Sequence, residues 1–294
     1  MTIKYFIKRC LALIFFVCLF ISISNADSVK EKITIAIFPC TDVVMSFKKF
    51  NPLITYLREA THLDINLVVP ADFDEFERDI INKNISFALQ DPYIYVKLAR
   101  LYDKNTLLGT LTRDGATSQS SVLIVRKDSD IKELNDLIGK TVMFGPKLSA
   151  AKCVAAKLLF EENCIDIDKD IGSYSNGKCC EDIAFSVYLK AVDAGVVCDH
   201  FLEEHAKKQK ELGVKSEEIQ VIGRTRPVPA RVFTSCQGIN PEIVTRINQA
   251  LLKLDNNNPN HNRILYNAEL GGFLKGSDRD YNAIRILIGQ RMVE

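Results

Sequence analysis

After its first 26 residues, the 294-residue sequence has no further long apolar run, no block of like charge, no internal repeat and no low-complexity tract. The first absence leaves no candidate for a membrane span in the body of the chain. The even charge balance, with a formal net charge of +1, gives no electrostatic footprint for nucleic acid or an anionic membrane surface. The only biased stretch is the short polar loop Asn256–Asn260. Catalytic signatures are also missing. No Cys-x-x-Cys spacing suggests a zinc site. No paired carboxylates and no Ser/His/Asp set suggest a hydrolase. The chain is therefore not expected to be an enzyme, and no catalytic residue, metal or cofactor is expected. Cys179 with His200 is the one dyad open to test.

Residues 1–26 carry the three-part pattern of a secretory leader. Lys4, Lys8 and Arg9 are followed by the apolar run Cys10–Ile21, and Ser24-Asn25-Ala26 offers small residues before a cut ahead of Asp27. Cleavage would deliver a slightly acidic soluble chain to the periplasm, large enough for two lobes of ordinary size. Of nine cysteines, Cys10 and Cys18 leave with the leader. Cys40, Cys153, Cys164, Cys179, Cys180, Cys198 and Cys236 remain, an odd number that leaves at least one thiol without a partner in the same chain.

Strand and helix patterns alternate. Ile33–Phe38, Ile65–Val69 and Ile85–Leu89 read as strands; Phe50–Thr61, Phe73–Asn82 and a segment opened by Asp91-Pro92 read as helices. The pattern restarts at Ser121–Arg126, passes through strands Thr141–Phe144, Ala194–Val197, Ile219–Ile222 and Arg231–Thr234, and ends in helices such as Pro241–Leu254. That order predicts two α/β lobes. Gln119–Val125 and Ala230–Ser235 are the candidate crossovers, apolar enough to form a packed two-strand hinge that lets the lobes close on a ligand.

The richest local motif is Thr141–Cys153, TVMFGPKLSAAKC. A strand ends at Phe-Gly-Pro and Ser149 opens an Ala-rich helix. Exposed amides and the helix dipole make that start an anion site, with Ser149 as cap or ligand donor; an ordinary capped turn reads the same way.

Five segments, in this order, resemble a known family: FNPLITYLREAT (Phe50–Thr61), ISFALQDPYIYVKLA (Ile85–Ala99), SVLIVRKDSDIKELNDLIGKTVMFGPKLSA (Ser121–Ala150), AVDAGVVCDHF (Ala191–Phe201) and RTRPVPARVF (Arg224–Phe233). They are similar to the periplasmic phosphate/phosphite/phosphonate-binding proteins of ABC transporters, the PhnD-like group. The resemblance implies a two-lobed type II periplasmic-binding-protein (Venus flytrap) fold of α/β class with two crossover strands. Lobe one would span 32–120 and 235–294, and lobe two 121–231. It implies a monomer that captures a small anion and hands it to a membrane ABC permease. The alternative is a sensory binding protein of the same fold that reports to a histidine kinase.

The same resemblance implies a phosphonate cradled by a Ser-Thr-Ser run, which here reads Ser149-Ala150-Ala151. A tyrosine before the crossover reads Gln119, a histidine reads Cys179 (or Lys178), and a glycine before a proline reads Asp91. Each lost charge-assisted donor costs about 1.5–3 kcal/mol, and Asp91 repels a dianion. Ligands of such folds bind beyond the carboxyl ends of strands, so Cys40, Thr41, Tyr93, Cys179, Cys180 and Cys198 join Asp91, Gln119 and Ser149–Ala151 as candidate ligand contacts. The thiols read either as buried apolar groups or disulfides, with Cys179 or Cys180 to Cys198 the most credible bridge, or as thiolates at helix starts lining the pocket for a thiophilic oxyanion or metalloid. Cys153, one turn into the anion-site helix, is also placed at the cleft. Cys164 and Cys236 are placed away from it.

Overall fold

The computed structural model describes residues 32–38, 43–201 and 215–293. Its frame is two sheets and a short ribbon. The first sheet has six strands in the order β13-β4-β12-β3-β1-β2. β1 (Ile33–Ile37) lies parallel to β2 (Ile65–Val68) and to β3 (Phe87–Gln90). β12 (Val232–Ser235) runs antiparallel between β3 and β4 (Leu108–Leu111), and β13 (Gly272–Lys275) forms the edge. The second sheet has five strands in the order β10-β6-β9-β7-β8. β7 (Thr141–Phe144) is parallel to β9 (Ala194–Cys198) and β8 (Ser173–Asn176), while β6 (Ser121–Arg126) is antiparallel to β9 and to β10 (Ile219–Arg224).

Between the sheets lies the ribbon of β5 (Ser118–Gln119) and β11 (Val228–Pro229). It is joined to its surroundings by the amide of Ala230 donating to Thr117 O and that of Asp199 donating to Ser120 O. The chain thus crosses a few residues earlier in each passage than the apolar patterns suggest, because most of Gln119–Val125 and Ala230–Ser235 is already sheet.

Helix faces follow the pattern of apolar residues. α1 (Val43–Thr61) buries Phe50, Leu53, Ile54 and Leu57 in the same core as Ile243, Ile247 and Leu251 of α6 (Pro241–Leu252). It begins seven residues before the predicted Phe50, and Pro52 is carried inside it. α2 (Phe73–Ile81) is capped by Asp72, whose carboxylate accepts the Glu75 amide at 2.8 Å. α7 (Pro259–Asn267), capped by Asn258, occupies a stretch whose start reads as a polar loop. A charged cluster anchors the C-terminal α8 (Asn282–Leu287): Tyr95 Oη donates to Asp278 Oδ1 at 2.7 Å, and Arg285, 3 % exposed, pairs with the same carboxylate. No helix among the described residues is long and apolar enough to cross a membrane.

Candidate functional site

The carboxyl ends of β3, β7 and β9 converge, as open α/β sheets place their ligand sites. β3 delivers Asp91. The residue is extended (φ −64°, ψ 142°) and caps α3 (Pro92–Leu98), with Oδ1 accepting the Tyr93 amide at 2.8 Å. Pro92 fits the first helical position, where no N–H is needed.

β7 delivers the second half. After Phe144, Gly145 lets the chain pass tightly over Lys152: a Cβ there would stand 2.3 Å from Lys152 Cβ. Ser149 then caps a π-helical turn, Ala150–Val154, by accepting the Lys152 amide at 3.3 Å, and α4 (Ala155–Glu162) continues from it. Ser149 therefore caps, as its position predicts.

The Ala150 amide donates to Asp91 Oδ1 at 3.0 Å. One carboxylate oxygen thus caps a helix of the first sheet and the leading turn of the second. Ala150 and Ala151 are 0 % and 2 % exposed, in an apolar cluster that also holds Ile94, Tyr95 and Val232. Methyls suit that seam better than hydroxyls without partners. Asp91 keeps some open surface, yet its carboxyl is enclosed enough that burial raises its pKa to about 6. The two amides, Arg231 and Lys152 pull in the other direction without overcoming burial.

Two cations belong to this site that the sequence patterns did not single out. Lys152 is 7 % exposed, and its Nζ lies 3.8 Å from Cys180 Sγ. Arg231, just before β12, has its guanidinium 5.9 Å from the centre of the Phe50 ring and interacts with both Asp91 and Glu269. It also lines a cavity of about 690 Å³ shared with Arg113, Gln119, Cys198, Asp199 and Glu269. Glu269 sits in the left-handed region (φ 56°) and pairs with Lys49 at 2.7 Å. Burial pushes its carboxyl up, but Lys49, Arg231 and Arg113 outweigh that and hold its pKa at about 2.

The predicted contacts divide. Asp91, Ser149, Ala150 and Ala151 come together at the seam, and Gln119 and Cys198 meet at the cavity. Tyr93 contributes its amide, while its ring packs beside the apolar cluster and under Lys97 Nζ at 5.7 Å. Cys179 caps α5 (Cys180–Tyr188), its sulfur accepting the Asp182 amide at 3.5 Å. Contrary to the expectation of a thiolate at that helix start, burial pushes its pKa up to about 12. Cys180 is the thiol held below the ordinary range, by a hydrogen bond from the Cys198 thiol against the opposing effect of burial, with help from Lys152 and the Cys198 amide. Cys153, placed at the cleft by its sequence position, is instead 5 % exposed in the core with Val142 and Phe144 of β7, where burial raises its pKa and Asn176 Nδ2 lies 3.8 Å from its sulfur. Cys164 is exposed, and Cys236 is buried beside Tyr102. Residues 1–26, Cys40, Thr41 and His205 lie outside the described residues. Among the described residues no cluster of three or more His, Cys, Asp or Glu could hold a metal ion.

Residues 35–281 match the family model described as ABC transporter, phosphonate, periplasmic substrate-binding protein. The chain belongs to this family. A "Phosphate-import protein PhnD" of Mycolicibacterium smegmatis is 23% identical over 235 residues, covering 76% of this chain and 72% of that protein. Among solved structures, a binding protein component of an ABC phosphonate transporter from Pseudomonas aeruginosa superposes with a TM-score of 0.74 at 17% identity, covering 88% of this chain and 86% of the other. PhnD1 from Prochlorococcus marinus, in complex with methylphosphonate, gives a TM-score of 0.74 at 14% identity, covering 88% and 97%. The fold is therefore the two-lobed type II periplasmic-binding-protein fold, and the family is a non-enzymatic one that works with a small-molecule ligand and a membrane permease. Within it, this chain sets the Asp91 carboxylate against the Ala150 amide, with Ala150 and Ala151 buried at the turn after β7.

Proposed function

We propose that this protein captures a small oxyanion, phosphate or a phosphonate, between its lobes and delivers it to an ABC permease, with Asp91 tuning how tightly the anion is held. The observation that carries this reading is the Asp91–Ala150 hydrogen bond beside Lys152 and Arg231. An anion at that amide meets two cations and one carboxylate. When Asp91 is ionised it competes with the anion for the Ala150 amide. When protonated it can yield the amide and donate its own O–H to a ligand oxygen. Gln119, Ser149, Lys152, Cys198 and Arg231 are the other side chains assigned to the ligand. The leader at 1–26 is assigned to export, and lobes of 32–120 with 235–294 and of 121–231 to a monomer.

A thermal-shift series with inorganic phosphate, methylphosphonate, thiosulfate and arsenite tests the reading. A true ligand at a thousandfold excess over its dissociation constant adds about 4 kcal/mol of apparent stability. Stabilisation by phosphate or methylphosphonate is expected. Stabilisation by arsenite alone would replace the oxyanion with a thiophilic ligand.

A further inference from the structure

The second sheet carries two cysteines in direct contact, Cys180 and Cys198, of which only Cys198 also lines the anion cavity. Cys180 opens α5 and is 8 % exposed; Cys198 ends β9, keeps part of its surface open and lines the 690 Å³ cavity. The Cys198 amide donates to Cys180 Sγ at 3.3 Å, the Cys198 thiol hydrogen-bonds to the same sulfur, and Lys152 Nζ lies 3.8 Å away. Three donors directed at one sulfur fit a thiolate better than a thiol. The neighbouring Glu181 carboxylate opposes that charge, and burial opposes it too, but the donors prevail. Cys179 is differently engaged, its sulfur spent on the Asp182 amide.

We propose that Cys180 and Cys198 form a redox pair that closes to a disulfide by exchange with a low-molecular-weight or protein disulfide, and reopens on reduction. Entry is through Cys198, the more exposed of the two. Its thiolate attacks one sulfur of the external disulfide and expels a thiolate, which takes up the proton Cys198 gave away. The buried Cys180 thiolate then attacks the Cys198 sulfur of the mixed disulfide and expels the second external thiolate. Two cysteine sulfurs are oxidised and one external disulfide is reduced to a thiol and a thiolate, so charge and protons balance. A sulfur already within hydrogen-bonding reach of its partner's thiol and amide needs little rearrangement to form the bond.

Closure removes the negative charge facing Lys152, whose amide belongs to the same turn as that of Ala150. The oxidised cleft is one charge more positive and holds an anion more tightly. This consequence rests on the oxyanion reading; the pair itself does not.

The test equilibrates the purified full chain with glutathione at graded ratios of oxidised to reduced form, quenches with N-ethylmaleimide and maps peptides by mass spectrometry. The expected result is loss of two hydrogens from the intact protein and a bridge joining the Cys180 peptide to the Cys198 peptide. That bridge should persist in Cys179→Ser and vanish in Cys180→Ser and Cys198→Ser. Full alkylation of both cysteines at every ratio, or a bridge that needs Cys179 and not Cys180, overturns the pair. In parallel, calorimetry with inorganic phosphate should show about tenfold tighter binding by the oxidised protein, as one unit charge a few ångströms away implies. Equal affinity in both states overturns the charge consequence. If neither state binds phosphate, the oxyanion reading fails while the peptide map still decides the pair.

Discussion

Asp91 and Ala150 lie 59 residues apart and follow strands of different sheets, yet the Ala150 amide donates to Asp91 Oδ1 at 3.0 Å. The same oxygen accepts the Tyr93 amide at 2.8 Å. A single carboxylate therefore satisfies the starts of α3 and of the π-helical turn that leads α4. Any anion that uses the Ala150 amide must contend with it.

Asp91→Asn keeps an N-cap of equal quality and removes the charge. Calorimetric titration with methylphosphonate at pH 7.5 should show binding about 10- to 100-fold tighter than wild type, the equivalent of about 1.5–3 kcal/mol for a hydrogen bond to a charged group. Unchanged affinity would mean that Asp91 does not meet the ligand.

Asp91 also predicts a pH dependence of stability. Its folded pKa of about 6 lies above the ordinary 3.8 of an exposed Asp, so the folded chain binds the extra proton. The resulting stabilisation is fully present below the unfolded value and is lost as pH rises through about 6, at most about 3 kcal/mol in total. Glu269 works the other way: held at about 2, its contribution is present above 4.5 and lost only in stronger acid. Between pH 7 and pH 5, urea unfolding of the wild type should therefore gain about 1–2 kcal/mol relative to Asp91→Asn. Parallel curves for the two proteins would remove this role.

Gly145→Ala tests the turn that carries Lys152. The added Cβ would meet Lys152 Cβ at 2.3 Å, so the turn has to shift. Destabilisation of about 1–3 kcal/mol is expected, with weaker phosphate binding by the protein that remains folded. Thermal unfolding and calorimetry read the two effects separately. A variant with wild-type values in both would show that the close approach is not needed.

Asp278→Ala tests the fold away from the cleft. Tyr95, Lys104 and Arg285 converge on this carboxylate, and its removal leaves the Arg285 guanidinium buried without its counter-charge. Loss of about 3–5 kcal/mol in denaturant unfolding is expected. A loss below 1 kcal/mol would place the cluster in a more hydrated setting than its burial implies.

Most of the fold was legible in local patterns because its central strands are continuous apolar runs and its helices carry clear caps. SVLIVR announces β6 and FDEFERDII announces α2. The missed elements have weak local signals. β8 reads SYSN, three of its four residues exposed, and is a strand because β7 offers it an edge. β4 and β13, LGTL and GFLK, pair with each other over a separation no local window spans. The early start of α1 is masked by Asn51-Pro52, which reads as a break. Within the site, Asp91 and Ser149 are visible because each stands at a strand–helix junction. Arg231 and Glu269 are not, since their placement depends on contacts made far along the chain. Lys152 could have been found: it follows the Ser149 cap by three residues, at the head of the turn.

The most direct test of Asp91 as a competitor for the anion is the ratio of methylphosphonate dissociation constants, wild type over Asp91→Asn, measured by calorimetry from pH 8 to pH 5. Taking the ratio cancels the titration of the ligand itself. The ratio should be well above one at high pH and fall towards one as pH drops through about 6, where the Asp91 carboxyl takes its proton. A ratio that stays constant across that range would contradict the account.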